Sequence, residues 1–202
     1  MRSIFGVDPI DSGEIIVGGV ALNNPSPSAM KARGLGLTPE DRKQQGLVLV
    51  FPVEDNLTLA SLRRVSARGV LNPGKERELA EAMVEDLQIK TASLAVKTRT
   101  LSGGNQQKVV IGNWLNTLPE VLMMDEPTRG IDIQAKEQIF ALVRDLARQG
   151  LAVLFVSSEI EEVLDVSDRI LVINQGRITH SRQHDEVNLE QLMALVMEEI
   201  NL

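Results

Sequence analysis

The sequence predicts an α/β protein built on a mostly parallel sheet, and three observations carry that prediction. Short apolar runs suited to strands alternate with longer segments of helical period, as in strand, helix, strand units. The run from Val121 to Met124 is uninterrupted and apolar, as a strand covered on both faces requires. It stops abruptly at Asp125-Glu126-Pro127, which sets carboxylates at the carboxyl end of a strand, where open α/β sheets form their crevices.

Composition bounds the rest. A chain of 202 residues, 43% hydrophobic and 24% charged, is long enough for one sizeable core or two small ones and has ordinary globular usage. Twenty-one basic residues against 28 acidic give a net charge of −7 without a basic stripe, which argues against broad contact with a nucleic-acid backbone. There is no cysteine, hence no disulfide and no thiolate metal site. No apolar stretch approaches the roughly 18 residues of a membrane helix, and Met1 opens no recognisable secretory signal.

Along the chain, residues 1–6 are short and apolar, and the turn signals Asp8-Pro9 and Ser12-Gly13 precede a strand at 14–17. Asn24-Pro25-Ser26-Pro27 is a loop or a helix entry, 30–34 a short helix and 35–38 a short strand ending at Pro39. Glu40-Asp41-Arg42-Lys43 reads by itself as a mixed-charge exposed turn. An apolar run follows at 47–51, then a leucine-bearing segment that turns basic at Arg63, Arg64 and Arg68 and breaks at Asn72-Pro73-Gly74. Leu79, Met83 and Leu87 give 75–88 a helical period. Ile111, Trp114, Leu115 and Leu118 do the same after Gly104, and Ile139, Leu142, Val143 and Leu146 mark 134–149 as the cleanest amphipathic helix, stopped by Gly150. Residues 151–156 suit a buried strand, with Ser158 and Glu161 spaced as a helix capping box. Residues 169–173 and 177–180 read as strands around a tight turn, and Asn188 caps a terminal helix with Leu189, Leu192, Met193 and Val196 on one face. His180 and His184 have no second ligand motif and read as exposed loop.

Two segments carry phosphate-type chemistry. In Leu101-Ser102-Gly103-Gly104-Asn105, paired glycines allow close backbone approach and Ser102 adds a hydroxyl at the start of a helix, whose free N–H groups and dipole favour an anion. Alone, the triplet is an ordinary N-cap. At the end of the 121–124 strand, Asp125 can hold Mg²⁺ directly or through water and Glu126 can accept a proton from water; alone, the pair is a solvated acidic turn.

Taken in order and spacing, the Ser-Gly-Gly loop, its helix, the strand ending in Asp-Glu-Pro and the following Asp132 resemble the signature, Walker B and D-loop of ATP-binding cassette (ABC) ATPases. More narrowly, 39–43 (PEDRK), 101–108 (LSGGNQQK) and 125–132 (DEPTRGID) look like the second cassette of double-cassette importers of ribose, galactose, xylose and sugar-like autoinducers, over residues 1 to about 199. The resemblance implies one incomplete nucleotide-binding domain of P-loop NTPase type, truncated at its N-terminus. Its helical subdomain would span about 42–112, its core sheet with Walker B, D-loop and switch 113–180, and a C-terminal helix 181–202. The pattern G-x-x-x-x-G-K-[ST] of the phosphate-binding loop occurs nowhere in the 202 residues. In the family fold that loop's strand lies between those at 151–156 and 169–173, so two strand edges are expected to lack their shared partner.

By resemblance, Glu126 is the catalytic base and Ser158 stands at the switch position, where many relatives have histidine. Ser102, Gly103, Gly104, Asn105 and Asp132 are nucleotide-contacting, and Asp125 and Glu40 face Mg²⁺, Glu40 standing where single cassettes carry the Q-loop glutamine. The implied cofactors are ATP and Mg²⁺, weakly held or absent in the lone chain: about three charge-assisted hydrogen bonds of roughly 1.5 to 3 kcal/mol each face association costs of roughly 4 to 15 kcal/mol. The implied partners are a second cassette, membrane permease subunits and, indirectly, a periplasmic sugar-binding protein, with no nucleic acid. The implied place is cytoplasmic, at the inner face of the membrane through the permease. The leading expectation is an importer ATPase fragment that lends its signature to a partner's ATP site. The alternative is a docking or regulatory remnant that binds a permease or cassette without ATP chemistry. ABC-type ATPases of DNA repair or translation share Ser-Gly-Gly and Asp-Glu, but the acidic charge weighs against them.

Overall fold

The computed structural model describes residues 1–23 and 25–198; Asn24 of the expected loop and 199–202 of the terminal segment lie outside the described residues. Two compact units divide the chain, Met1–Leu154 and Phe155–Leu202. No helix among the described residues is long and apolar enough to cross a membrane.

The first unit opens with α1 (Arg2–Phe5) and a hairpin of β1 (Ile15–Val17) and β2 (Val20–Leu22). The second strand was not expected; its signal is the Gly18-Gly19 pair, a two-residue turn with φ of 57° and 77°. Helix α2 (Pro27–Ala32) starts where Ser26 accepts from the Ala29 N–H and Pro27 presets the first turn, three residues before the expected start. Strand β3 (Leu35–Thr38) is buried along its whole length. It runs parallel to β6 (Val121–Asp125), with Leu35 beside Val121 and Thr38 beside Met124. Strand β7 (Ala152–Val156) follows in the order β3, β6, β7.

Between β3 and β6 lie α3 (Val53–Thr58), a small hairpin of β4 (Ser66–Ala67) and β5 (Val70–Leu71), α4 (Pro73–Asp86) and α5 (Gly103–Leu115). Asn72 caps α4 through the Gly74 and Lys75 N–H groups, which moves its start two residues ahead of the expected one. The apolar run 47–51 is not a strand. Asn56, itself buried, holds it as a loop by accepting from the Val48 N–H at 2.8 Å and donating to the Val48 carbonyl at 3.0 Å. Two cores result. One gathers Val53, Leu57, Ala80, Leu87 and Val109 from the three helices. The other gathers Phe5, Met30, Leu35, Leu37 and Met123 around β3. Trp114 packs on both and meets Phe5 edge-to-face at 5.4 Å, so α5 joins the helices to the sheet. Helix α6 (Ile133–Arg148) buries Ile139 and Val143 of the face its period marks, together with Phe140, while Leu142 and Leu146 are half-buried.

In the second unit, α7 (Ile160–Val166) precedes the antiparallel pair β8 (Arg169–Asn174) and β9 (Arg177–Gln183), and α8 (Leu189–Met197) ends the described chain. Ile170, Val172 and Leu192 form its core. Asn188 caps α8 as expected, in a capping box with Gln191. Strand β9 runs three residues past His180, which therefore lies in a strand within 3.4 Å of Glu198, while His184 opens a short 3-10 turn.

Two expectations are corrected. Strand β7 is not buried: Leu154 and Val156 are 37% and 38% exposed, because no strand pairs beyond it among the described residues. It and β8, the two strands that the resemblance implies share a neighbour, belong to different sheets. Nor do Ser158 and Glu161 form a capping box. The N-cap of α7 is Glu159, and the hydroxyl of Ser157 does the work, accepting from the Glu159 N–H at 3.0 Å and donating to the buried Glu162 at 2.6 Å.

Candidate functional site

Parallel pairing of β3 with β6 brings two strand ends to one edge. Past the Thr38 and Met124 pair, Glu40 follows the end of β3, while Asp125 ends β6 and Glu126 follows it. Asp125 and Glu126 are half-buried. The backbone turns sharply at Glu126, whose φ of 46° is left-handed, a conformation that costs a non-glycine residue about 1 to 2 kcal/mol. The turn closes with the Arg129 N–H donating to the Glu126 carbonyl at 3.1 Å. Glu40 pairs with the Arg129 side chain across that edge, both residues being exposed.

Arg42 is tied to the same loop from beneath. Its Nη1 donates to the Arg129 carbonyl at 2.7 Å and its Nη2 to the Gly130 carbonyl at 3.1 Å. Arg42 is only 8% exposed, so the mixed-charge turn is exposed at Glu40 and Lys43 but not here. Burial pulls its guanidinium below the usual arginine value, partly offset by Asp41. Asp41 shapes the turn by accepting from the Lys43 and Gln44 N–H groups.

The Ser-Gly-Gly loop starts α5, as its sequence requires. Ser102 is the exposed N-cap; its hydroxyl accepts from the Asn105 N–H at 3.4 Å and from the Asn105 side-chain amide at 3.0 Å. Asn105 is held from its other side, accepting from the Lys90 N–H at 2.8 Å. Both glycines are demanded by packing. A Cβ on Gly103 would lie 2.8 Å from Arg42 Nη2, and one on Gly104 would lie 2.4 Å from Ala135 Cβ on α6. Asp132 caps α6, accepting from the Ala135 N–H at 2.9 Å.

Residues 40–42, 102–104 and 125–135 of the first unit are thus linked by direct contacts. Ser158 lies in the second unit, exposed, just before α7. Sequence reasoning missed Arg42, which the charged run 40–43 conceals, and Lys108, whose Nζ donates to Gln88 O and to Gln138 Oε1 from a buried position on α5. Burial lowers the Lys108 pKa, with Lys90 adding to the effect.

The donor set can be weighed against a metal. Among the described residues no group of three or more His, Cys, Asp or Glu side chains could enclose one. One carboxylate at a strand end suits Mg²⁺, which keeps most of its waters and takes its other ligands from phosphates. The donor set is therefore compatible with a metal that arrives with a nucleotide.

The family model of the ABC transporter matches residues 1–129. The chain belongs to that family. Among curated proteins, a ribose import ATP-binding protein RbsA of Oceanobacillus iheyensis is 46% identical over 194 residues, covering 96% of this chain and 39% of its own length. The protein of the same name from Bacillus subtilis is 43% identical, covering 96% and 40%. An uncharacterized ABC transporter ATP-binding protein, YphE of Escherichia coli, is 42% identical, covering 98% and 39%. The chain thus spans about two fifths of the length of the curated relatives it matches. Among solved structures, a nucleotide-free cassette from an ABC transporter superposes with a TM-score of 0.78 at 22% identity over 98% of this chain and 78% of its own. The cassette MJ0796 in a dimeric post-hydrolysis state with ADP and Pi gives 0.75 at 22%, over 91% and 78%. These likenesses show the cassette fold.

Proposed function

We propose that the chain serves an importer of a sugar or sugar-like solute by lending the N-terminal turn of α5 to an ATP site whose phosphate-binding loop a partner cassette provides. The observation that carries this reading is the exposed Ser102 at the head of a 13-residue helix whose first two residues are glycines. Free N–H groups and a hydroxyl there suit a phosphate, and no side chain stands on Gly103 or Gly104 to keep it away. The names of the relatives support ribose or a similar sugar as the imported class. Permease subunits would hold the chain at the membrane, on its cytoplasmic face.

When bound, Mg²⁺ would neutralise phosphate charge. Asp125 would hold it, and Glu126 would take a proton from water. Both serve the phosphate loop that would join this chain's own sheet, so they act when that segment is present. Glu40, engaged with Arg129, and Asp132, engaged as a cap, would border the nucleotide; Asn105 would fix the Ser102 hydroxyl, and Ser158 would offer a hydrogen bond at the switch position. A second reading is docking to a permease or cassette without ATP chemistry.

Calorimetry of Mg·ATP tests the proposal, first with the chain alone and then with a cassette bearing an intact phosphate loop. The expected result is millimolar or weaker binding alone and a gain on adding the partner that Ser102→Ala reduces at least about tenfold. No gain favours the docking reading. Micromolar binding by the lone chain, lost in Asp125→Asn, refutes both.

A further inference from the structure

Among the described residues Arg42 is the buried arginine, and no carboxylate forms a salt bridge with it. Its Nε is buried without a hydrogen-bond partner. A guanidinium taken from water under these conditions is costly, and a neutral side chain of similar length would fill the same space without that cost. The geometry shows what only an arginine does here. Two consecutive carbonyls, of Arg129 and Gly130, meet the two ends of one planar fork, the loop turning at Gly130 with φ of 67°. The Nη2 end of the fork also lies beside Gly103, where even a methyl group would come within 2.8 Å of Nη2 and 3.3 Å of the Gly130 carbonyl oxygen. The contact is also reciprocal, since the side chain of Arg129 reaches back to Glu40, two residues ahead of Arg42.

We propose that Arg42 is a positioning residue that fixes the 129–130 turn against the first turn of α5, so that the Ser102 helix start and the Asp125-to-Asp132 loop hold one relative placement. Its functional consequence rests on the half-site reading above. A partner's nucleotide would meet the Ser-Gly-Gly turn only where this loop leaves it, and the two bonds from the guanidinium to the loop, made beside Gly103, hold that place. A lysine, a point charge with no fork, cannot serve both carbonyls in this geometry.

Amide hydrogen exchange of the 202-residue chain tests the proposal, comparing wild type with Arg42→Lys, Arg42→Met and Gly103→Ala. Segments 103–106 and 128–135 are expected to lose protection together, by about tenfold or more, in all three variants, while α4 keeps its own. Arg42→Met preserves volume, so protection retained in that variant would reduce Arg42 to filler and overturn the proposal. Full protection in Arg42→Lys would overturn it too, by making charge alone sufficient. Gly103→Ala leaves Arg42 in place and presses on its guanidinium, so unchanged exchange at 128–131 in that variant would also overturn it. Nucleotide binding with the partner cassette, measured on the same samples, separates the two ideas. Wild type that fails to bind defeats the half-site reading, whereas unchanged exchange defeats the role of Arg42 whatever the nucleotide does.

Discussion

Gly104→Ala should destabilise the first unit even though alanine is the better helix former. Gly104 lies in the first turn of α5, and a methyl there would fall 2.4 Å from the Cβ of Ala135 and 3.6 Å from its Cα. Ordinary contact between such carbons begins near 3.4 Å, so α5 and α6 must part by about 1 Å. Neither atom is the flexible end of a side chain, and both are fixed to helix starts capped by Ser102 and Asp132. Overpacking of this kind costs about 1 to 3 kcal/mol, against at most about 1 kcal/mol gained from helix propensity. The expected net effect is a loss of up to about 2 kcal/mol after the full propensity gain, read from the urea midpoint by circular dichroism. In an Ala135→Gly background the clash has no partner, and the same substitution should cost less than about 0.5 kcal/mol. A raised midpoint for Gly104→Ala, or an equal loss in the Ala135→Gly background, would refute the reasoning. Gly112→Ala is the internal contrast: its methyl would meet the ends of the Leu57 and Leu87 side chains at 2.8 and 3.0 Å, which can rotate away, so its loss should be smaller.

Three further outcomes follow from named contacts. Ser157→Ala removes the 2.6 Å bond to Glu162, which is 3% exposed, and should cost about 1.5 to 3 kcal/mol in thermal or urea unfolding, with Ser157→Thr recovering part of it. Glu40→Gln breaks an exposed ion pair with Arg129 and should shift stability by less than about 1 kcal/mol, the difference shrinking further in high salt. Burial, and then Glu76, raise the Asp55 pKa. An acid raised on folding contributes stability that is complete below its unfolded value near 4 and is lost as pH rises through the folded value. Asp55→Asn should therefore stabilise the chain at neutral pH, and its advantage should vanish below about pH 4 in a pH series of urea melts.

Much of this protein was legible in its sequence because the decisive signals are local. Period located α4 and α6 and the caps Ser102 and Asn188 located α5 and α8, each within a few residues, since a cap is a contact between a side chain and a backbone N–H only two or three positions away. The run ending in Asp125-Glu126-Pro127 named its strand, and the motif order named the family, which the match over residues 1–129 then showed. What sequence could not decide depends on residues distant in the chain. Arg42 looks like surface charge until the fold carries it 87 positions along the chain to the carbonyl of Arg129. Gly103 and Gly104 look like room for a phosphate, and only packing shows that Arg42 and Ala135 also require the missing side chains. Exposure of β7 was likewise hidden, because an apolar strand reads the same whether or not a neighbour pairs with its edge. Local hydrogen bonds and periodicity are written in consecutive residues, whereas burial of a charge and the pairing of an edge are properties of the assembled chain, and the tertiary structure alone decided them.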